Sequence, residues 1–174
     1  MVTPDPSDPS WRRMSVTPSW GQQHCDLDYI NEPFNNDRDV ELWRSLGFTQ
    51  SRFTGDMYDM RFSEPGWIAS VREVLPMKNF AWAIYRMRPG DVLPEHGDIY
   101  VRYREIYGIS DIAKIRRYII FLEDWQSGHY LEIDSTPVLP WRAGEGVYWH
   151  GDTPHLAANM GKTPRYTLQI TGTI

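Results

Sequence analysis

The 174 residues carry 18 Lys and Arg against 23 Asp and Glu, a formal charge of −5, which suits one acidic domain with its own core and argues against nucleic acid as the main partner. No apolar run approaches the roughly 18 residues needed to cross a bilayer, and the Pro-, Ser- and Asp-rich start is not a secretory signal. The single cysteine, Cys25, excludes an internal disulfide framework, so the expectation is a cytoplasmic protein without membrane attachment.

In chain order, residues 1–20 are expected to form a loose arm, because Pro4, Pro6, Pro9 and Pro18 interrupt regular structure. Residues 21–174 then make a single domain. Residues 35–48 predict a helix capped by Asn36 or Asp37 and ended by Gly47, with Val40, Trp43 and Leu46 as its apolar stripe. Residues 54–62, with Asp56, Tyr58 and Arg61, read as a loop available to a substrate. Residues 64–75 predict a second helix with Ile68, Val71 and Leu75 on one face.

From residue 80 the pattern alternates with period two. The predicted strands are 80–87, 99–107, 116–124, 129–133, 146–150, 155–159 and 165–174, separated by turns such as Arg88-Pro89-Gly90 and Gln126-Ser127-Gly128. Eight Trp, ten Tyr and six Phe suit sheet surfaces and a lined pocket. The fold class is therefore mainly β: a double-stranded β-helix, jelly-roll or cupin-like, over about residues 80–174, with two short supporting N-terminal helices.

The triplet His-Gly-Asp occurs twice, at His96-Gly97-Asp98 and at His150-Gly151-Asp152, and four of the five histidines fall between positions 96 and 155. His96 and Asp98, two apart at a strand mouth, leave the same face. His155, directly after the turn-forming Asp152-Thr153-Pro154, is the best third ligand. Two imidazoles and a carboxylate leave three positions of a metal open, the facial arrangement of non-haem Fe(II) enzymes. His150 ends its own strand, and Asp152 shapes the turn into His155.

A hairpin centred on residue 160 would set Arg165 opposite His155 on a neighbouring strand, its guanidinium reaching a carboxylate beyond the metal. Thr167 shares that face and can donate a hydroxyl. Periodicity leaves a second reading open, in which Arg165, Thr167, Gln169 and Thr171 are a solvent face opposite a core of Tyr166, Leu168 and Ile170.

His96-Gly97-Asp98, then His155, then Arg165-Tyr166-Thr167 ten residues on resembles the 2-oxoglutarate/Fe(II)-dependent oxygenases. The stretches "FLEDWQSGHYLEI", "WRAGEGVYWHGDTPHLAANMG" and "RYTLQITG" look like the aspartyl/asparaginyl β-hydroxylase-like branch, with Asp152, His155 and Asn159 as its distal pattern. Typical members of that branch lack the acidic ligand that Asp98 supplies here. The resemblance implies Fe(II) on His96, Asp98 and His155, with 2-oxoglutarate chelating the metal and its far carboxylate on Arg165 and Thr167. It also implies O₂ as oxidant and release of succinate and CO₂. The implied outcome is hydroxylation of a C–H bond on an amino-acid side chain, in a small molecule or a peptide. Arg104, Arg117, His150 and Trp149 are candidate substrate or pocket residues, and His24 and Cys25 receive no role. Two alternatives remain: a cupin-like metal enzyme that does not use 2-oxoglutarate, and a non-catalytic β-roll binding module.

Overall fold

Alternation of side chains along extended backbone decides the architecture. On the strand Arg165–Thr173 (β11), Tyr166, Leu168 and Ile170 face one way and Arg165, Thr167, Gln169 and Thr171 the other. The computed structural model describes residues 10–49 and 53–174. Its other strands are Trp11–Ser15 (β1), Ile30–Pro33 (β2), Thr54–Asp59 (β3), Lys78–Met87 (β4), Val92–His96 (β5), Ile115–Phe121 (β6), His129–Ile133 (β7), Thr136–Pro137 (β8), Glu145–His150 (β9) and His155–Asn159 (β10). The helices are Asp37–Ser45 (α1), Gly66–Val74 (α2) and Val101–Tyr107 (α3).

All pairings are antiparallel. A large sheet runs β1-β9-β6-β11-β4-β3-β2 and a small sheet runs β5-β10-β7-β8. Leu168 and Ile170 join Ile84, Ile120 and Tyr118 on the outer face of the large sheet, where Trp67, Ile68 and Val71 of α2 cover them. The inner face presents Tyr85, Met87, Ile119, Phe121, Val147 and Trp149 to Leu131, Ile133 and Ala157 of the small sheet. Each large apolar side chain buried in these two layers contributes about 1.5–3 kcal/mol. The expected two-sheet β roll is present.

Several expected elements differ. Residues 11–15 are not a loose arm but β1, paired with β9 from Trp11↔Trp149 to Ser15↔Glu145, and the Trp20 indole donates to the Leu122 carbonyl at 2.9 Å. Of the expected arm, residues 1–9 lie outside the described residues. The expected loop at 54–62 begins as β3, between β2 and β4. In α1 only Trp43 of the predicted stripe is buried; Leu46 is 67% exposed.

The expected strand at 99–107 is largely a helix. Tyr100 and Gly108, both in the left-handed region at φ 51° and 65°, bracket α3. The alternation of Val101-Arg102-Tyr103-Arg104 imitates a strand for only four residues. The longer pattern, Tyr100, Tyr103 and Tyr107, is helical, and the Tyr103 and Tyr107 rings meet at 4.9 Å one turn apart.

The predicted hairpin does not form either. β10 pairs with β5 and β7, whereas β11 pairs with β4 and β6, so residues 160–164 cross from one sheet to the other. Asn159 holds that crossing: its Nδ2 donates to the carbonyls of Met87 and Thr163 at 2.9 and 2.8 Å.

Three strands are pinned by one buried carboxylate. Asp56 on β3, 1% exposed, accepts from Asn31 of β2 at 2.9 Å, from Arg86 of β4 at 2.8 Å, and from Arg88 at 2.6 and 2.9 Å. Burial alone would raise its pKa, but Arg88, Asn31 and Arg86 outweigh burial and lower it. The unfolded chain therefore binds the proton more readily, so this stabilisation is present above the ordinary carboxylate range and lost as pH falls through the folded-state value. Asp56→Asn should cost about 1–3 kcal/mol at neutral pH. Urea unfolding would show it, and the variant should lose less stability on acidification than the wild type.

Candidate metal centre

His96 closes β5 and His155 opens β10, and the two are Cα partners in the small sheet. Their rings lie 4.3 Å apart. The loop after β5 then brings Asp98 beside them, so that one ligand atom from each of His96, Asp98 and His155 falls within 4.8 Å of the others. Gly97 makes that loop possible: a Cβ there would sit 2.6 Å from the Asp152 carbonyl oxygen. The second triplet thus buttresses the first.

Both imidazoles are oriented from behind. His96 Nδ1 lies 2.8 Å from the Pro94 carbonyl and His155 Nδ1 lies 2.9 Å from the Thr153 carbonyl. A carbonyl only accepts, so each Nδ1 carries a proton, which makes Nε2 the nitrogen that a metal would use. Phe34 and Trp43 pack edge-on against His96 at 4.9 and 5.9 Å, and Trp149 meets His155 at 4.6 Å. Burial, with His96 beside it, holds His155 down at about 4 despite the opposing Asp98 carboxylate, so its imidazole is neutral at pH 7. Burial would raise the Asp98 carboxyl. Arg117, whose Nε donates to Oδ2 at 2.9 Å, and the two imidazoles more than offset this and hold it well below the usual range.

These residues open onto a cavity of about 320 Å³ whose wall also includes Tyr85, Ile119, Leu131, Trp149, Ala157, Arg117 and Arg165. A second recess, about 350 Å³, shares Asp98, Arg102, Arg117 and Gln169 with it and adds Asn36, Tyr103 and Tyr107. Arg165 reaches the cavity from β11, opposite Met87 rather than His155. It is 4% exposed; one of its terminal nitrogens donates to the Tyr130 carbonyl at 2.5 Å, and its Nε has no partner among the described residues. Among the described residues no carboxylate pairs with it. Burial accordingly pushes this guanidinium down to about 10.

Thr167 shares the inner face with Arg165. It lies between Tyr85 and Phe121 in register and is off the cavity wall, with its Oγ1 buried and unpartnered. The Trp149 indole nitrogen is likewise buried without a partner among the described residues. The solvent-face reading of β11 is thereby excluded, since Arg165, Thr167 and Thr171 are all buried.

Two candidate pocket residues lie elsewhere. Arg104 sits on α3 rather than a strand and donates to the carbonyls of Ile109 and Ser110, closing the end of its own helix. His150 follows the inward Trp149, so strand alternation turns it outward, where its Nδ1 accepts from Arg116 at 3.3 Å. Sequence reasoning missed Phe34, Tyr85 and the Tyr130 carbonyl. Phe34 and Tyr85 are ordinary apolar positions until folded, and a backbone carbonyl carries no sequence signal.

Tyr85 depends on Gly55 of β3, where a Cβ would lie 1.8 Å from its ring. Gly55→Ala must displace that ring, an overpacking cost of about 1–3 kcal/mol. Denaturant unfolding would show it.

The donor set fits a divalent metal: two imidazoles whose Nδ1 atoms face backbone carbonyls and one ionised carboxylate, with a buried cation on the same cavity wall. No family model matches the chain, and no curated protein matches it. Solved structures do resemble it. A prolyl-4-hydroxylase from Pseudomonas putida shares 15% identity at a TM-score of 0.51, covering 86% of this chain and 94% of that one. A predicted oxalate decarboxylase from Thermotoga maritima shares 13% identity at 0.43, covering 70% and 82%. An uncharacterized conserved protein with a double-stranded β-helix domain from Klebsiella pneumoniae shares 14% at 0.39, covering 57% and 72%. The likeness is one of fold: two facing antiparallel sheets in a double-stranded β-helix. No helix among the described residues is long and apolar enough to cross a membrane.

Proposed function

We propose that the protein is an Fe(II)- and 2-oxoglutarate-dependent dioxygenase that hydroxylates a C–H bond of an amino-acid side chain, free or in a peptide. The observation that carries this reading is Arg165, a buried guanidinium without a carboxylate partner among the described residues, on the wall of the cavity that also holds His96, Asp98 and His155. A buried cation of this kind costs free energy unless an anion joins it. 2-Oxoglutarate is a diacid that bridges a metal and such a cation.

His96, Asp98 and His155 would hold the Fe(II). Bound iron with 2-oxoglutarate and O₂ supplies oxidative decarboxylation to succinate and CO₂ coupled to oxidation of a C–H bond. The remaining work belongs to the chain. Arg165 anchors the far carboxylate, with the buried Trp149 indole as a further donor on the same cavity wall. Ile119, Leu131 and Ala157 exclude water from the methylenes. The prime substrate enters through the recess beside Asn35, Arg61 and Arg102. Arg117 fixes the Asp98 carboxylate.

The purified protein, supplied with Fe(II), 2-oxoglutarate and O₂, should form succinate slowly even without prime substrate, and chelation of the metal should stop it. Absence of 2-oxoglutarate binding in the presence of Fe(II) would overturn this reading in favour of a cupin-like metal enzyme acting without that cosubstrate.

A further inference from the structure

A second cluster of metal-ligating side chains lies at the other face of the large sheet, on residues that the first site does not use. His24 and Cys25 are adjacent on a 3₁₀ turn, Gln23–Asp26, and Glu123 follows β6. One ligand atom from each lies within 4.8 Å of the others. His24 is 2% exposed, its ring edge-on to Tyr166 at 5.0 Å, and neither ring nitrogen has a hydrogen-bond partner among the described residues. Its Nε2 is 3.4 Å from Glu123 Oε1 without hydrogen-bond geometry, and Cys25 Sγ is 3.8 Å from the same oxygen.

An imidazole buried with both nitrogens unsatisfied is costly in a native fold and asks for a missing partner. The separations leave room for a small tetrahedral ion. A tetrahedral ion with Zn–N and Zn–O near 2.0 Å and Zn–S near 2.3 Å places its ligand atoms roughly 3.3–3.6 Å apart, close to the 3.4 and 3.8 Å found here. Gln22 Oε1 also lies 3.8 Å from Cys25 Sγ. Imidazole, thiolate and carboxylate together suit a borderline-soft cation and not calcium or magnesium.

We propose that His24, Cys25 and Glu123 form a second, structural site for a zinc-class divalent cation, with Gln22 or water in the fourth position. The ion clips the N-terminal segment to the end of β6, beside the Trp20–Leu122 hydrogen bond. Burial and the Glu123 carboxylate raise the Cys25 pKa, so the metal-free thiol keeps its proton and releases it when the ion binds.

The two sites can be told apart because the chain has one cysteine and the first site has no sulfur. Cobalt(II) added to chelator-treated wild-type protein should give a thiolate-to-cobalt charge-transfer absorption in the near ultraviolet. Cys25→Ser and His24→Gln should lose that band while still binding cobalt at the first site. Zinc should abolish the band and slow alkylation of Cys25 by iodoacetamide about tenfold or more. A folded wild type that shows no such band, or a Cys25 alkylation rate that zinc leaves unchanged, overturns the proposal. Neither result bears on 2-oxoglutarate turnover.

Discussion

Arg165→Met should abolish detectable 2-oxoglutarate binding while leaving the cosubstrate-free protein as stable as the wild type or more so. The two effects have one cause. In the absence of an anion the wild type buries a guanidinium whose one hydrogen bond among the described residues is to the Tyr130 carbonyl, and removing an uncompensated buried charge relieves a cost of several kcal/mol. Met fills most of the vacated volume, whereas Arg165→Ala would add a cavity penalty of about 2–5 kcal/mol and blur the comparison. With 2-oxoglutarate bound, the same substitution strands the diacid's far carboxylate in an apolar pocket, a loss of about 2–5 kcal/mol. Thermal unfolding with and without cosubstrate separates the two. At a hundredfold excess over Kd the wild type should gain about 2.7 kcal/mol, and the variant should gain nothing measurable. Equal gains in both proteins would remove Arg165 from the binding site.

The part of this arrangement that was legible in the sequence is the part fixed by short-range pattern. β4, β6, β7, β9, β10 and β11 follow from period-two alternation, and His96, Asp98 and His155 from spacing and turn residues. The expectation about Arg165 reached the cavity by the wrong route. A two-stranded hairpin and a crossing between facing sheets have the same local sequence, because both need only a turn near Met160-Gly161, and which one forms depends on the strands already waiting on either side. β10 finds β5 and β7; β11 finds β4 and β6. Inward-facing residues of opposed sheets still meet across a cavity, so Arg165 and His155 share a wall without being neighbours on a ladder. The errors at 11–15 and 99–107 have the same origin. A Pro-rich flank does not reveal that β9 has a free edge to pair, and four alternating residues cannot outweigh a Tyr spacing of three and four.

The second large effect concerns Asp98, the proposed metal ligand that also accepts from Arg117. Its Oδ2 accepts from Arg117 at 2.9 Å, each side chain only 18% exposed. Asp98→Ala therefore does two things: it removes a ligand, and it leaves Arg117 half-buried against Tyr100 with no anion. Turnover should fall by about 10³-fold or more, on the scale of losing a group the transition state requires. Folding stability should fall by about 2–4 kcal/mol, as expected when one partner of a desolvated pair is deleted. Arg117→Met leaves the ligand set intact but frees the carboxylate to rotate, and a residue of this outer kind costs about 10–100-fold in metal affinity or activity. Combining the two should recover much of the stability lost in Asp98→Ala, because the stranded charge is gone, and none of the turnover. A double-mutant cycle on unfolding free energy, run beside succinate assays, reads both quantities. If Asp98→Ala kept metal affinity and turnover near wild type, the carboxylate would be a structural counterion to Arg117, and the metal would rest on the two histidines alone.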